Sequence, residues 1–396
     1  MVRIGVYNEP FGAAVGGSEY LVAVLSEALA KFYEVELVHH RPELTVEELE
    51  AFSGRDLTSV QLRYVAHQEH LFGNSHNPWS RYQEAREWQS TLSAPYDLFI
   101  ACLHNIPPFC HARRGVMILL FPSYTLPYSQ PPENEERANV LWDSVRRVYH
   151  AWEWKQCMKS YQVKTAISSF SQTWARRLWN IDTRVIHPPA GDGFGGGEKD
   201  NLILSVGRFA IAGEGHNKRQ LEMLSAFRAL RESELTEWEY YSVGNLGPTL
   251  KHRQFFDELT DIAGQSHANV QANLERSQIK ELFSRAKIFW HAAGYGEDEE
   301  ANPRLAEHFG IATVEAMAAG CVPVVVNMGG QREIVEHGVS GYLWDDFDQL
   351  SMYTRRLAAD ESLRIRMSEA ARQRARMYSP EVFQENYLNV VRGLLA

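Results

Sequence analysis

Leu202-Ile203-Leu204-Ser205-Val206-Gly207-Arg208-Phe209 opens the half of the chain whose pattern reads most directly. Four of its first five residues are apolar, without the polar alternation of a half-exposed strand, so the run reads as a strand covered on both faces. Working outward, Leu221 to Arg231 has helical spacing and Glu239 to Val243 is the next strand. Ile279 to Ala286 (helix), Ile288 to His291 (strand), Thr313 to Ala319 (helix), Val322 to Val326 (strand) and Gln331 to Glu336 (helix) continue the alternation. The other half has the same rhythm: strand Val2 to Tyr7, helix Ser18 to Phe32, then strands Val35 to His39, Asp97 to Leu103 and Val116 to Phe121. Repeated β-α-β order predicts parallel sheets with helices on both faces. Pro188-Pro189 and the glycine-rich run Gly191 to Gly197 are the strongest punctuation between the halves. The expected organisation is one α/β domain over 1–190 and a second over 199–376. Residues 377–396 form a last helix, started by Pro380, that returns to the first domain. A ligand is expected beyond the carboxyl ends of the strands, in a cleft between the two sheets.

Composition bounds the function. The 396 residues suffice for two or three domains, with 44% hydrophobic and 23% charged residues, as in a globular protein. Lys and Arg total 40 against 50 Asp and Glu, a net charge of −10, the opposite of the basic excess of a nucleic-acid binder. Cys102, Cys110, Cys157 and Cys321 show no C-x2-C spacing. No apolar run approaches the roughly 18–20 residues of a membrane span, and the N-terminus lacks a signal-peptide core. The expectation is a cytoplasmic protein.

Three segments carry chemistry. Gly16-Gly17, between a strand and a helix, allows close backbone approach, and Ser18 can cap the helix. The turn reads as an anion cradle or as a plain strand-to-helix turn. It is not G-x-G-x-x-G, and no P-loop occurs, which argues against a dinucleotide enzyme and a P-loop ATPase. In the second segment, Arg208 ends a strand and Lys218 precedes the next helix. Cations placed there repel a helix N-terminus unless an anion lies between them, so the pair suits a phosphate; the alternative is two exposed cations flanking a loop. In the third, Glu307 stands in a loop, Gly310 allows close approach, the amides of Ile311 to Val314 start a helix, and Glu315 lies within it. Paired carboxylates can accept hydrogen bonds from adjacent sugar hydroxyls; each acid alone also reads as a dipole partner or a solvated helix residue.

Together these segments make the chain resemble the retaining glycosyltransferases of family 4, with the GT-B fold. The carriers are Gly16-Gly17, Ile167-Ser168-Ser169-Phe170, His187-Pro188-Pro189, Ser205 to Phe209 with Lys218, and Gly329-Gly330. Most specific is Glu307 to Glu315, eight residues apart, followed by Ala316-Met317-Ala318-Ala319-Gly320 and Pro323. The stretch 177–182 is similar to the dolichol-linked mannosyltransferase branch and its bacterial relatives. The resemblance implies two Rossmann-like doubly wound domains, the first binding the acceptor and the second a nucleotide-diphosphate sugar. It implies that a hexose-type sugar passes to an acceptor hydroxyl of a glycan, a lipid-linked carrier or a small-molecule glycoside, with retention.

Residue by residue, the resemblance gives Arg208 and Lys218 the donor diphosphate and Glu307 the hydroxyls of the donor sugar. Phe309, Gly310 and Ile311 match the turn whose backbone binds the sugar, Thr313 and Val314 the helix start under the phosphates, and Glu315 the acid on the ribose. Gly16 and Gly17 match the loop over the diphosphate, and His104 matches a histidine close to the transferred sugar. His104, Arg208, Lys218 and Glu307 are thus the catalytic candidates. The donor is expected to be UDP- or GDP-linked, with no metal and no other cofactor. His308 stands where many members have glycine. The same architecture serves nucleotide-sugar epimerases, and a non-catalytic nucleotide-sugar-binding protein is a third reading.

Other features read more plainly. Asp346-Phe347-Asp348 reads as a turn and helix cap. His67, His70 and His76 read as solvated histidines. The acidic segment 294–304 reads as a solvated loop or a lid, the loop being favoured. Arg113-Arg114 and Arg146 to Lys164 mix basic and aromatic residues; they read as a core-packed helix with a solvated basic face, or as a peripheral membrane contact.

Overall fold

A computed structural model of the chain describes residues 1–8, 16–68, 78–104, 106–123, 140–190, 193–195, 197–211 and 217–396; the side chains at 78, 79, 81 and 140–147 lie outside that description. Two compact units result. Unit 1 is Met1–His187 with Phe383–Ala396, and unit 2 is Pro188–Val382.

Unit 1 has strands β1 (Arg3–Asn8), β2 (Glu34–His39), β3 (Val60–Tyr64), β4 (Leu98–Leu103), β5 (Arg114–Leu119), β6 (Val163–Ala166) and β7 (Arg184–Val185). Their order is β3-β2-β1-β4-β5-β6-β7, with neighbouring strands parallel. Unit 2 has β8 (Asp200–Val206), β9 (Glu239–Gly244), β10 (Ala268–Ala272), β11 (Ala286–His291), β12 (Val322–Val326) and β13 (Tyr342–Trp344). They run β10-β9-β8-β11-β12-β13, again parallel.

Helices cover both faces of such a sheet, so its central strands are largely apolar, while the short β6, Val-Lys-Thr-Ala, is only half buried. Every residue of β4 and of β12 is buried. The edge strands differ: β3 reads VQLRY and β10 reads ANVQA, and β10 is partly exposed along its whole length. Neither shows an apolar run, which is why the sequence reading passed over both.

Strand order reverses between β1 and β4 in unit 1, and between β8 and β11 in unit 2. In open parallel sheets ligands bind outside the carboxyl ends at such a switch point. In unit 1 those ends deliver Asn8 and Leu103-His104; in unit 2 they deliver Gly207-Arg208 and His291.

The helix Val140–Ser160 packs one face into the unit 1 core through Cys157 and Met158, with Trp154 edge-on to Trp179. Its outer face exposes Val148, Tyr149 and Trp152 beside the basic residues. No helix among the described residues is long and apolar enough to cross a membrane. The last helix, Pro380–Leu395, enters unit 1 from Phe383 onward. Its Tyr387 is fully buried and shares a 2.7 Å hydrogen bond with Thr165 Oγ1 on β6, while Gln384 donates to Val24 O and Glu27 Oε2. Truncating a buried ring costs about 3–5 kcal/mol. Tyr387→Ala is therefore expected to destabilise unit 1 by that amount and to lower its thermal transition by roughly 6–20 °C, and a Tm within a degree of wild type would contradict the packing.

Candidate functional site

The site grows from the unit 2 switch point. β8 ends at Val206, and Gly207-Arg208 turn out of the sheet. Gly207 leaves room for Lys218, whose Cγ and Cδ would lie 3.1 and 3.2 Å from a Cβ at that position. The Arg208 side chain is exposed and makes no hydrogen bond or ion pair with the described residues, although its carbonyl accepts from Gln220 Nε2 at 3.0 Å. Lys218 is tied down: its Nζ donates to Glu307 Oε2 at 2.6 Å.

Glu307 precedes the helix Ile311–Ala318 and is held from its main chain. Gly330 N donates to Glu307 O at 2.8 Å, and a Cβ on Gly329 would fall 2.2 Å from that same oxygen. A Cβ on Gly330 would come within 2.5 Å of Phe309 Cα. Gly310, the N-cap, has φ of 118°, which L side chains avoid, and a Cβ there would meet the Gln331 amide at 2.4 Å. The helix starts two residues earlier than the sequence pattern indicated, because Gly310 supplies the turn and Ile311 is its first residue.

That start alters the donor set. Thr313 N and Val314 N donate to Gly310 O at 3.0 and 3.3 Å. The amides with no partner among the described residues are those of Ile311 and Ala312, and they face outward from the helix end, where a negative group is favoured. The side chains of Phe309, Thr313 and Val314 are buried, and the Phe309 ring stands edge-on to Tyr378.

Glu315, one turn on, is largely buried, with Arg276 Nη2 at 3.8 Å from its Oε1. Burial raises its pKa to about 7, against the lowering effect of Arg276 and Lys280. Sequence reasoning missed His291, which ends β11 and whose Nε2 lies 3.1 Å from Glu307 Oε2. Its ring is buried, and burial depresses its pKa despite Glu307 nearby. The available signal was a histidine closing an otherwise apolar strand, Ile288-Phe289-Trp290, at a switch point.

The acidic segment 294–304 is exposed at Gly296, Asp298, Glu300 to Asn302 and Arg304, as a solvated loop would be, and it is also anchored by ion pairs. Glu297 pairs with Arg219 at 2.8 Å, while Glu299 takes Arg332 Nη1 at 2.7 Å and Gly329 N at 2.8 Å. In unit 1, the turn at Gly16 is filled from within. Gly16 N donates to Glu19 Oε2 at 2.8 Å and Ser18 Oγ to the same oxygen at 2.9 Å. Gly16, not Ser18, is therefore the cap of the helix Gly17–Ala30, and its amide is already committed to a carboxylate. His104 is exposed just past β4. His67 stands edge-on to His40 at 5.1 Å, and the described residues hold no group of three metal-ligating side chains. His70, His76, Val15, Asn105 and Gly215-His216 lie outside the described residues. Asp346 caps the helix Phe347–Ala359, accepting from Gln349 N at 2.8 Å.

Comparison with known proteins adds a family. Residues 194–374 match the family Glycosyl transferases group 1. The chain is 37% identical over 245 residues to the human alpha-1,3/1,6-mannosyltransferase ALG2, covering 57% of this chain and 56% of that protein. It is 25% identical over 268 residues to the Dictyostelium discoideum GDP-Man:Man(3)GlcNAc(2)-PP-Dol alpha-1,2-mannosyltransferase, covering 60% of this chain and 50% of that one. The chain thus spans about half the length of the curated relatives it matches. The crystal structure of Anabaena Alr3699/HepE with UDP and glucose superposes with a TM-score of 0.67 at 14% identity, over 99% of this chain and 100% of that one. At that identity the match establishes the fold, which is GT-B.

The raised Glu315 carboxyl gives a prediction. Its folded value lies above the unfolded one, so the folded state takes up a proton, and stability falls as pH rises from about 4.5 to about 7. Above pH 7 the penalty is fully present, on the order of 1–3 kcal/mol. Glu315→Gln is expected to remove that slope, so its Tm relative to wild type should rise between pH 5 and 7.5. Parallel Tm–pH curves would contradict the assignment.

Proposed function

For a chain whose residues 194–374 belong to glycosyl transferases group 1 and whose fold is GT-B, we propose that it moves a hexose from a nucleoside-diphosphate donor to an acceptor hydroxyl with retention, as in family 4. The observation that carries the reading is the convergence at one switch point of an exposed Arg208, Lys218, the open amides of Ile311 and Ala312, and two acids eight residues apart. Cations and a helix start suit a diphosphate, and carboxylates suit hydroxyls. The two mannosyltransferase relatives favour a GDP-linked mannose first; UDP-linked hexoses come second.

In this reading Arg208, Lys218 and the helix start hold the diphosphate and take up the charge that develops on it as the bond from the anomeric carbon to phosphate oxygen breaks. Glu307 orients the sugar through its hydroxyls, and Glu315 binds the ribose. The new bond forms from the acceptor oxygen to the anomeric carbon on the same face. The proton of the acceptor hydroxyl passes to an oxygen of the departing phosphate, so no side-chain base is required. Positive charge from the protein replaces a metal ion. Unit 1 takes the acceptor, a lipid-linked glycan or a small-molecule glycoside. Cytoplasmic placement with peripheral membrane contact accords with the exposed Val148, Tyr149 and Trp152.

The test is transfer from GDP-mannose and UDP-glucose to a panel of glycoside and polyprenyl-linked acceptors in EDTA. Wild type is expected to form an α-linked product at a rate unchanged by chelation. Arg208→Ala should lose about 10²–10³-fold in kcat, as other enzymes do on losing a group that meets transition-state charge. Near-wild-type kinetics for that variant would sink the site assignment. Activity restored only by Mg²⁺ would overturn metal independence, and donor conversion without acceptor would indicate an epimerase.

A further inference from the structure

Glu307 Oε2 receives two donors, Lys218 Nζ at 2.6 Å and His291 Nε2 at 3.1 Å. The two differ in freedom. Lys218 reaches across Gly207 on a four-carbon stem from outside the sheet. His291 is the last residue of β11, which lies between β8 and β12, and its neighbours Trp290 and Ala292 are buried. The ring is itself only 5% exposed, so close packing leaves it little room to change rotamer.

The functional reading above assigns Lys218 to the donor diphosphate, and this inference rests on that reading. A diphosphate carries more negative charge than one carboxylate and competes with Glu307 for the lysine. The Glu307 side chain is only 19% exposed, so losing its cation leaves a mostly buried anion, a costly arrangement unless another donor stays. We propose that His291 is a positioning residue that keeps Glu307 aimed at the donor sugar when the diphosphate draws Lys218 away.

The chemistry of the ring suits that role. A carboxylate only accepts, so Nε2 carries the proton and donates. Burial disfavours the charged imidazole, which favours a neutral donor beside Glu307. A carboxylate has about four acceptor positions, so it can keep His291 and still take sugar hydroxyls. Nδ1 of the same ring is buried with no partner among the described residues, so the Glu307 contact is the one that orients the ring.

The experiment compares His291→Phe, His291→Gln and His291→Asn in the full chain. Phe keeps ring volume without the donor; Gln places an amide N–H near the position of Nε2; Asn carries the same amide one carbon short. Calorimetry with GDP and UDP reads the diphosphate site, and transfer kinetics with GDP-mannose and UDP-glucose read the sugar. Phe and Asn variants are expected to bind the nucleoside diphosphate within threefold of wild type and to lose 10–100-fold in kcat. The Gln variant should recover most of that loss. If Phe does not fold, the Gln–Asn contrast still decides. A kcat within threefold of wild type for Phe and Asn would overturn the proposal. So would equal losses of nucleotide affinity and kcat in all three variants, the pattern of a merely structural histidine. Wild type taking up neither nucleotide would instead overturn the reading of the donor site, and this inference with it.

Discussion

The geometry of unit 2 depends on one close approach of two backbone segments. Gly329 and Gly330 lie against Glu307 to Phe309 so tightly that a single methyl at either glycine would enter main-chain atoms. The bond from Gly330 N to Glu307 O locks that approach, and Gly310 then turns the chain into its helix at a φ open to glycine. Glu307 is thereby presented from a rigid peptide rather than a loose loop. Glu299, bonded to both Gly329 N and Arg332, braces the same turn from the acidic segment.

Electrostatics follow from that placement. A protein of net charge −10 places cations beyond the carboxyl ends of the unit 2 strands, and each is balanced differently. Lys218 is neutralised by Glu307, Arg276 stands beside Glu315, and Arg208 is exposed. The amides of Ile311 and Ala312 add a helix start to the same side. A local excess of donors against an acidic background draws in a polyanion, and the neighbouring acids define where its hydroxyl-bearing groups go.

Much of this was legible in the sequence because inner parallel strands announce themselves. Leu202 to Val206, Ile288 to His291 and Val322 to Val326 are apolar runs, and a run of that kind has few other readings. Edge strands β3 and β10 were illegible because water replaces one neighbour and polar residues become tolerable. Arg208, Lys218, Glu307 and Glu315 stood out as charges at strand and helix ends. Their mutual distances did not, since contact across 89 residues, as between Lys218 and Glu307, is a property of topology. His291 escaped because a histidine closing a strand is chemically unremarked until its partner is known. The Gly16 turn read as an anion cradle or a plain strand-to-helix turn, and Glu19, three residues on, places a carboxylate on it from within the chain. The acidic segment read as solvated, and over half of it is exposed; its anchors, Arg219 and Arg332, were hidden by their distance in sequence.

Everything proposed for this chain requires a metal-independent nucleoside-diphosphate site at the unit 2 switch point. The most direct measurement is isothermal titration of the full chain with GDP and with UDP in EDTA, repeated with Mg²⁺. Saturable one-to-one binding of one of them is expected, with a Kd that Mg²⁺ leaves unchanged. Binding of neither, or binding that appears only with the metal, would contradict it.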